Sequence, residues 1–174
     1  MKFRYLLLAA LIGGAVTFAW GIVSHITGIM PALEPNAFTA PDSVVAAVRA
    51  SAPSNGVYYD DRGLLAVVSF ERDLSPKFAS MAVPMMVQLA IDCATAFLLA
   101  WVLLRLPPWS PFGTGSIFAA FGLAAGMAQL FSEANWYGYP LPFQLANLAG
   151  LVIGWFLLGI VVGALRRRLV LAVE

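Results

Sequence analysis

Four long apolar runs, from about Tyr5 to Val23, Met81 to Leu106, Gly115 to Phe131 and Phe143 to Leu165, constrain this chain more than any other feature. A bilayer's hydrocarbon core requires about 20 predominantly apolar residues per helix, within a range of about 17–25. Three runs meet that comfortably and the third is marginal. They are continuous rather than alternating, which argues against a β-barrel. The whole chain is 61% hydrophobic and 11% charged, against about 45–50% and about 25% for an ordinary soluble domain. A water-soluble fold of 174 residues could not hide so much apolar surface, and disorder is excluded by the abundance of aromatic and branched residues. The expected fold is therefore all-α: a four-helix transmembrane bundle with a small insertion over residues 24–80.

The first run follows Lys2 and Arg4, as a signal peptide would. It is longer than the usual h-region of about 7–15 residues, and no clean A-x-A site follows it. It is expected to remain as a helix. Lys2, Arg4, Arg105, Arg166, Arg167 and Arg168 crowd three short segments on one side. Arg49, Arg62, Arg72 and Lys77 are diluted along 24–80 among Glu34, Asp42, Asp60, Asp61, Glu71 and Asp73. The positive-inside rule then places both termini in the cytoplasm and the long insertion outside it.

Within the insertion, Thr39-Ala-Pro-Asp42 reads as a helix start with Thr39 as cap, followed by Val44, Val45 and Val48 at helical spacing. Residues 57–60 and 64–70 read as strands joined by Asp61-Arg62-Gly63. Ser75-Pro76 reads as the start of a long second membrane helix projecting beyond the bilayer. Small residues at Gly122/Gly126, Gly150/Gly154 and Gly159/Gly163 suit close helix packing. That packing would lie inside the bundle, or form a homo-oligomer or partner face on the last helix.

Polar residues within or at the ends of the runs are the candidate site. Asp92 falls near the middle of the second run, where a carboxylate costs about 2.5–3.5 kcal/mol on insertion scales. Gln88 lies one turn away on the same face. At the outer ends stand His25 beside Ser24, Glu133 four residues after Gln129, Asn135 in the tight link, and Gln144 with Asn147 at the start of the last helix. His25, Glu133 and Asn147 are expected at similar depth, beneath the hairpin. Such a cluster suits a polar headgroup or ion, or a hydrogen-bonded plug. Trp20, Trp136, Tyr137 and Tyr139 fit an outer aromatic belt, and Trp101 and Trp109 an inner one. Trp155 is left either facing lipid or stacking beside Asp92.

Several chemistries are set aside. One cysteine excludes an intrachain disulfide, a CxxC pair and a cysteine zinc site. One histidine with one Glu is a poor metal set, since catalytic zinc uses three protein ligands. There is no GxxxxGK[ST], HExxH or GxSxG. The net charge of +1 leaves no basic face for nucleic acid. No catalytic residue, metal or cofactor is expected, and the partners are the lipid bilayer and another membrane protein or a second copy.

Trp20-Gly-Ile-Val-Ser-His25, Pro31, Gly56-Val-Tyr-Tyr59 and Asn135-Trp-Tyr-Gly-Tyr-Pro140 resemble the W-G-x-x-S-H, G-V-Y and N-W-Y-G-F-P pattern of a family of small bacterial four-helix inner-membrane proteins. Tyr139 stands where that pattern has Phe, and a Trp-His continuation after His25 is missing, which further weakens a metal reading. The resemblance implies a location in the bacterial inner membrane and a shared site near His25 and Tyr137. It implies no reaction. Two functional readings follow: a non-enzymatic accessory, assembly or partner-binding subunit, and a small-molecule, lipid or ion site in the outer half of the bundle.

Overall fold

The computed structural model describes residues 2–33, 37–68 and 81–173. It is mostly helical, and four helices are long and apolar enough to cross a membrane. We label them α1 (Lys2–Ile26), α3 (Ala82–Leu103), α4 (Pro111–Tyr137) and α5 (Leu141–Leu169). A short helix, α2 (Pro41–Ser51), and two strands, β1 (Gly56–Asp60) and β2 (Leu64–Val68), lie between α1 and α3. Leu7, Leu11, Val87, Ile91, Leu98, Phe121, Leu123 and Ile153 all point outward. Outward apolar side chains along every long helix call for an apolar solvent, which a bilayer supplies.

The chain divides into two compact units, one of residues 1–34 and 85–174 and one of residues 35–84. The residues just after α1 cluster with the helical unit. The 3₁₀ turn Pro31–Leu33 packs on α5, and Met30 Sδ would lie 3.7 Å from a Cβ placed on Gly150.

Small residues govern the helix approaches. α1 meets α3 where a Cβ on Gly14 would stand 2.7 Å from Cys93 Cα. It meets α5 where a Cβ on Gly13 would stand 2.6 Å from Leu158 Cδ1. α4 and α5 cross at Gly115 and Gly159: a Cβ on Gly159 would stand 2.7 Å from both Gly115 Cα and the Thr114 carbonyl oxygen. Glycine alone allows backbones this close. Tyr5 and Ala9 from α1, Ala96, Ala100 and Leu103 from α3, Phe118 from α4 and Leu158 and Val162 from α5 form one buried cluster.

Three of the four helices run longer than their apolar runs, while α3 is slightly shorter than its run. α4 begins at Pro111, because Ser110 caps it: the Gly113 N–H donates to Ser110 Oγ at 3.0 Å. This is the Ser-Pro start signal. α4 also continues through a π-helical turn at Met127–Phe131 to Tyr137, where Gly138 ends it at φ 69°. α3 does not run back continuously beyond the membrane as expected, since Met81 sits at φ 48°, in the left-handed region. Ser75-Pro76 lies outside the described residues, as do Ser69 and Phe70 at the end of the expected second strand.

In the smaller unit β1 and β2 pair antiparallel, Gly56 opposite Val68 and Asp60 opposite Leu64. Gly63 takes φ 97°, as the three-residue loop requires. Arg62 folds back on Asp60 with Nε donating to Oδ1 at 2.8 Å and Nη2 to Oδ2 at 2.9 Å. Tyr58 Oη donates to the Ser54 carbonyl, tying the strand to the turn before it. α2 keeps Pro41 and Asp42 in its first turn, but Thr39 is not its cap: Ala40 holds that position with no side-chain bond.

Candidate functional site around Glu133

Glu133 is the centre of the polar network on α4 and α5. One turn earlier, Gln129 lies in the π-helical turn, a widened turn that is frequent at functional sites. Gln129 Nε2 donates to Glu133 Oε1 at 3.3 Å. From the first turns of α5, Gln144 Nε2 donates to Glu133 Oε2 at 3.1 Å. Gln144 is 1% exposed, and its Oε1 is buried without a partner among the described residues. With its NH₂ group engaged by the carboxylate, that oxygen can only accept. A buried acceptor left open is costly, so this is the position where a donor from a ligand would be favoured.

The other predicted residues are held differently. His25 is exposed, and its Nδ1 lies 3.0 Å from the Gly21 carbonyl and 3.1 Å from Ser24 Oγ, both on its own helix. An Nδ1–H donating to Gly21 shares that carbonyl with the helix's own i, i+4 bond and leaves Nε2 as an acceptor. Asn147 Nδ2 donates to the Phe143 carbonyl at 3.0 Å, within α5. Among the described residues, these bonds bring Glu133, Gln144 and Gln129 together, and leave His25 and Asn147 to their own helices. Asn135 is exposed near the end of α4. Asp92 is buried on α3 and accepts from Gln88 Nε2 at 3.1 Å, closing the pair within one helix. No group of three or more His, Cys, Asp and Glu side chains suited to a metal ion is present among the described residues.

Two tryptophans bridge neighbouring helices. Trp20 Nε1 donates to the Gly150 carbonyl at 2.8 Å, joining α1 to α5, and its ring lies against Gly154. Trp155 lies over Gly122 of α4, where a Cβ would stand 3.4 Å from its ring.

Sequence reasoning did not find the polar lock at the opposite end of the helices. Arg166 is 7% exposed, and it donates from Nη2 to the Leu106 carbonyl at 2.8 Å and from Nη1 to the Pro107 carbonyl at 3.1 Å. The arginines there are legible as a charge signal for orientation, which does not distinguish the one that turns inward.

Comparison with protein-family models, with curated proteins and with solved structures gives no match for this chain.

Proposed function

We propose that this is a multi-pass protein of the bacterial inner membrane, with both termini cytoplasmic. Its four long helices form a transmembrane bundle, and residues 24–80 are the extracytoplasmic insertion. Its role is that of a non-enzymatic accessory, assembly or partner-binding subunit. One observation carries this reading: the polar groups of the long helices are largely satisfied within the protein. Thr17, Ser24, Thr114 and Asn147 each donate to a carbonyl of their own chain segment. Gln88 pairs with Asp92, and Trp20 and Arg166 bond across to backbone carbonyls. A homo-oligomer through α5 would use the side away from Gly154, Gly159 and Gly163, which meet Trp20, Gly115 and Thr114.

A second reading is favoured by a specific feature, the open Gln144 oxygen beside the Glu133 carboxylate. It is a polar small-molecule or ion site in the outer half of the bundle. Native mass spectrometry of tagged protein extracted in mild detergent separates the two. The accessory reading expects a protein partner or second copy at fixed stoichiometry. A stoichiometric small ligand that is lost in Glu133→Gln would instead establish the second reading.

A further inference from the structure

A cleft of about 460 Å³ opens at the end of the helices opposite Glu133, lined by Pro108, Trp109, Ser110, Arg167 and Leu171. Its walls are fixed from three directions. Arg166 clamps the Leu106 and Pro107 carbonyls, holding the α3–α4 link against α5. Gly163, one turn before Arg167, lets Pro111 Cα approach to 3.1 Å of where a Cβ would stand, which seats the start of α4. Trp109 packs on the buried core.

Three of the basic groups near this end are distinguished by their contacts. Arg105 lies over the Trp101 ring at 3.4 Å and donates to the Trp101 carbonyl. Arg166 is turned inward. Arg167 is exposed, lines the cleft and has no acidic partner among the described residues. Ser110 Oγ accepts from the Gly113 N–H, so its own hydroxyl hydrogen stays available to donate. The cleft therefore offers a guanidinium fork and a hydroxyl donor to an anion, with an indole and a leucine alongside for an apolar chain. A guanidinium matches the oxygens of a phosphate bidentately, and tryptophan favours the headgroup level of a bilayer.

We propose that this cleft is a binding site for the phosphate of an anionic phospholipid, with Arg167 and Ser110 on the headgroup and Trp109 and Leu171 along the start of the acyl chain. The proposal rests on the four helices spanning a membrane and is independent of the partner-binding role. A free phosphate shares the headgroup chemistry but would gain nothing from Trp109 and Leu171.

Native mass spectrometry in mild detergent tests it, with phosphatidylglycerol, phosphatidylcholine and inorganic phosphate as probes. Wild type should retain phosphatidylglycerol in preference to the other two. Arg167→Gln should lower that retention by more than about tenfold, the factor for losing a hydrogen-bonded pair between charged groups. Arg168→Gln, which removes an exposed charge outside the cleft lining, should lower it by no more than about fivefold, the factor for one basic group near an anionic surface. Arg167→Lys keeps the charge without the fork and should fall between wild type and Arg167→Gln. Equal losses for Arg167→Gln and Arg168→Gln would reduce the site to a diffuse basic belt and overturn the proposal. So would phosphatidylcholine or inorganic phosphate binding as well as phosphatidylglycerol. Membrane fractionation of the same variants distinguishes failure of this site from failure of the membrane reading.

Discussion

Replacing Gly159 by alanine should loosen the α4–α5 contact, and the size of the effect follows from the crossing geometry. The new Cβ would stand 2.7 Å from Gly115 Cα and from the Thr114 carbonyl oxygen. Ordinary carbon–carbon contact is about 3.5–4.0 Å, so the helices must part by roughly 1 Å. Both obstacles are backbone, so no rotamer change relieves them. A gap of about 0.5–1 Å already forfeits a quarter to a half of each van der Waals well. The contacts at risk include Trp155 over Gly122 and Thr114 against Gly163. Overpacking of this kind costs about 1–3 kcal/mol, while alanine returns about 1 kcal/mol of helix propensity. The net loss is about 0–2 kcal/mol against wild type and about 1–3 kcal/mol against a glycine-to-alanine change that meets no obstacle, the latter roughly 2–12 °C in melting temperature for a chain of this size. Gly21→Ala is the control, because nothing lies within 4 Å of the added Cβ; it should hold or raise the melting temperature. Thermal unfolding in mild detergent reads both. If Gly159→Ala melts as high as Gly21→Ala, the close crossing at Gly115 and Gly159 is refuted.

Trp20→Phe should lower stability by about 0.5–1.5 kcal/mol, the net worth of the lost bond to Gly150. The same change at Trp136, which is 77% exposed, should be silent in the same melt, and equal effects would count against the interhelical role of Trp20. Asp92→Asn keeps an acceptor for Gln88 and should be tolerated, whereas Asp92→Leu strands that amide and should cost about 1–3 kcal/mol; equal losses would show that the carboxylate itself matters and would favour the ion-site reading. In the hairpin, hydrogen bonds from the Arg62 side chain and backbone hold the Asp60 carboxyl below its usual range. Asp60 should therefore titrate by NMR with a midpoint below about 3.9. Its folded value being the lower one, the contribution of this pair is present above that ordinary value and fades as pH falls through the folded one. An unshifted midpoint would mean that the pair does not persist in solution.

The long helices were legible because continuous apolar runs of membrane length have few alternative fates. Their ends were less so, for reasons that individual residues make plain. Ser110-Pro111 is the same start signal as Ser75-Pro76, but it lies outside the apolar run that begins at Gly115, so hydropathy draws the helix too short. The π-helical turn at Met127–Phe131 has no periodic signature in five residues. Among the glycines, spacing identifies Gly159 and Gly163 as packing positions, yet the partner of Gly159 is Gly115, which belongs to none of the small-residue pairs read from spacing. Partner choice is a property of the antiparallel register between α4 and α5, not of either helix alone. The pairing of Gln88 with Asp92 was legible because i, i+4 neighbours on a helix must meet. Glu133 with Gln144 bridges two helices, a pairing that tertiary geometry decides, whereas His25 turns back onto Ser24 and the Gly21 carbonyl of its own helix.

The central claim is that four helices cross the bilayer with both termini on the cytoplasmic side and the insertion over residues 24–80 on the other. Cysteine labelling in intact spheroplasts tests it most directly, using Ser54→Cys in a Cys93→Ala background. Ser54 is exposed and Cys93 is the only native thiol. An impermeant thiol reagent added from outside should modify the cysteine at position 54 fully before lysis. Modification only after lysis would place the insertion in the cytoplasm and contradict the account.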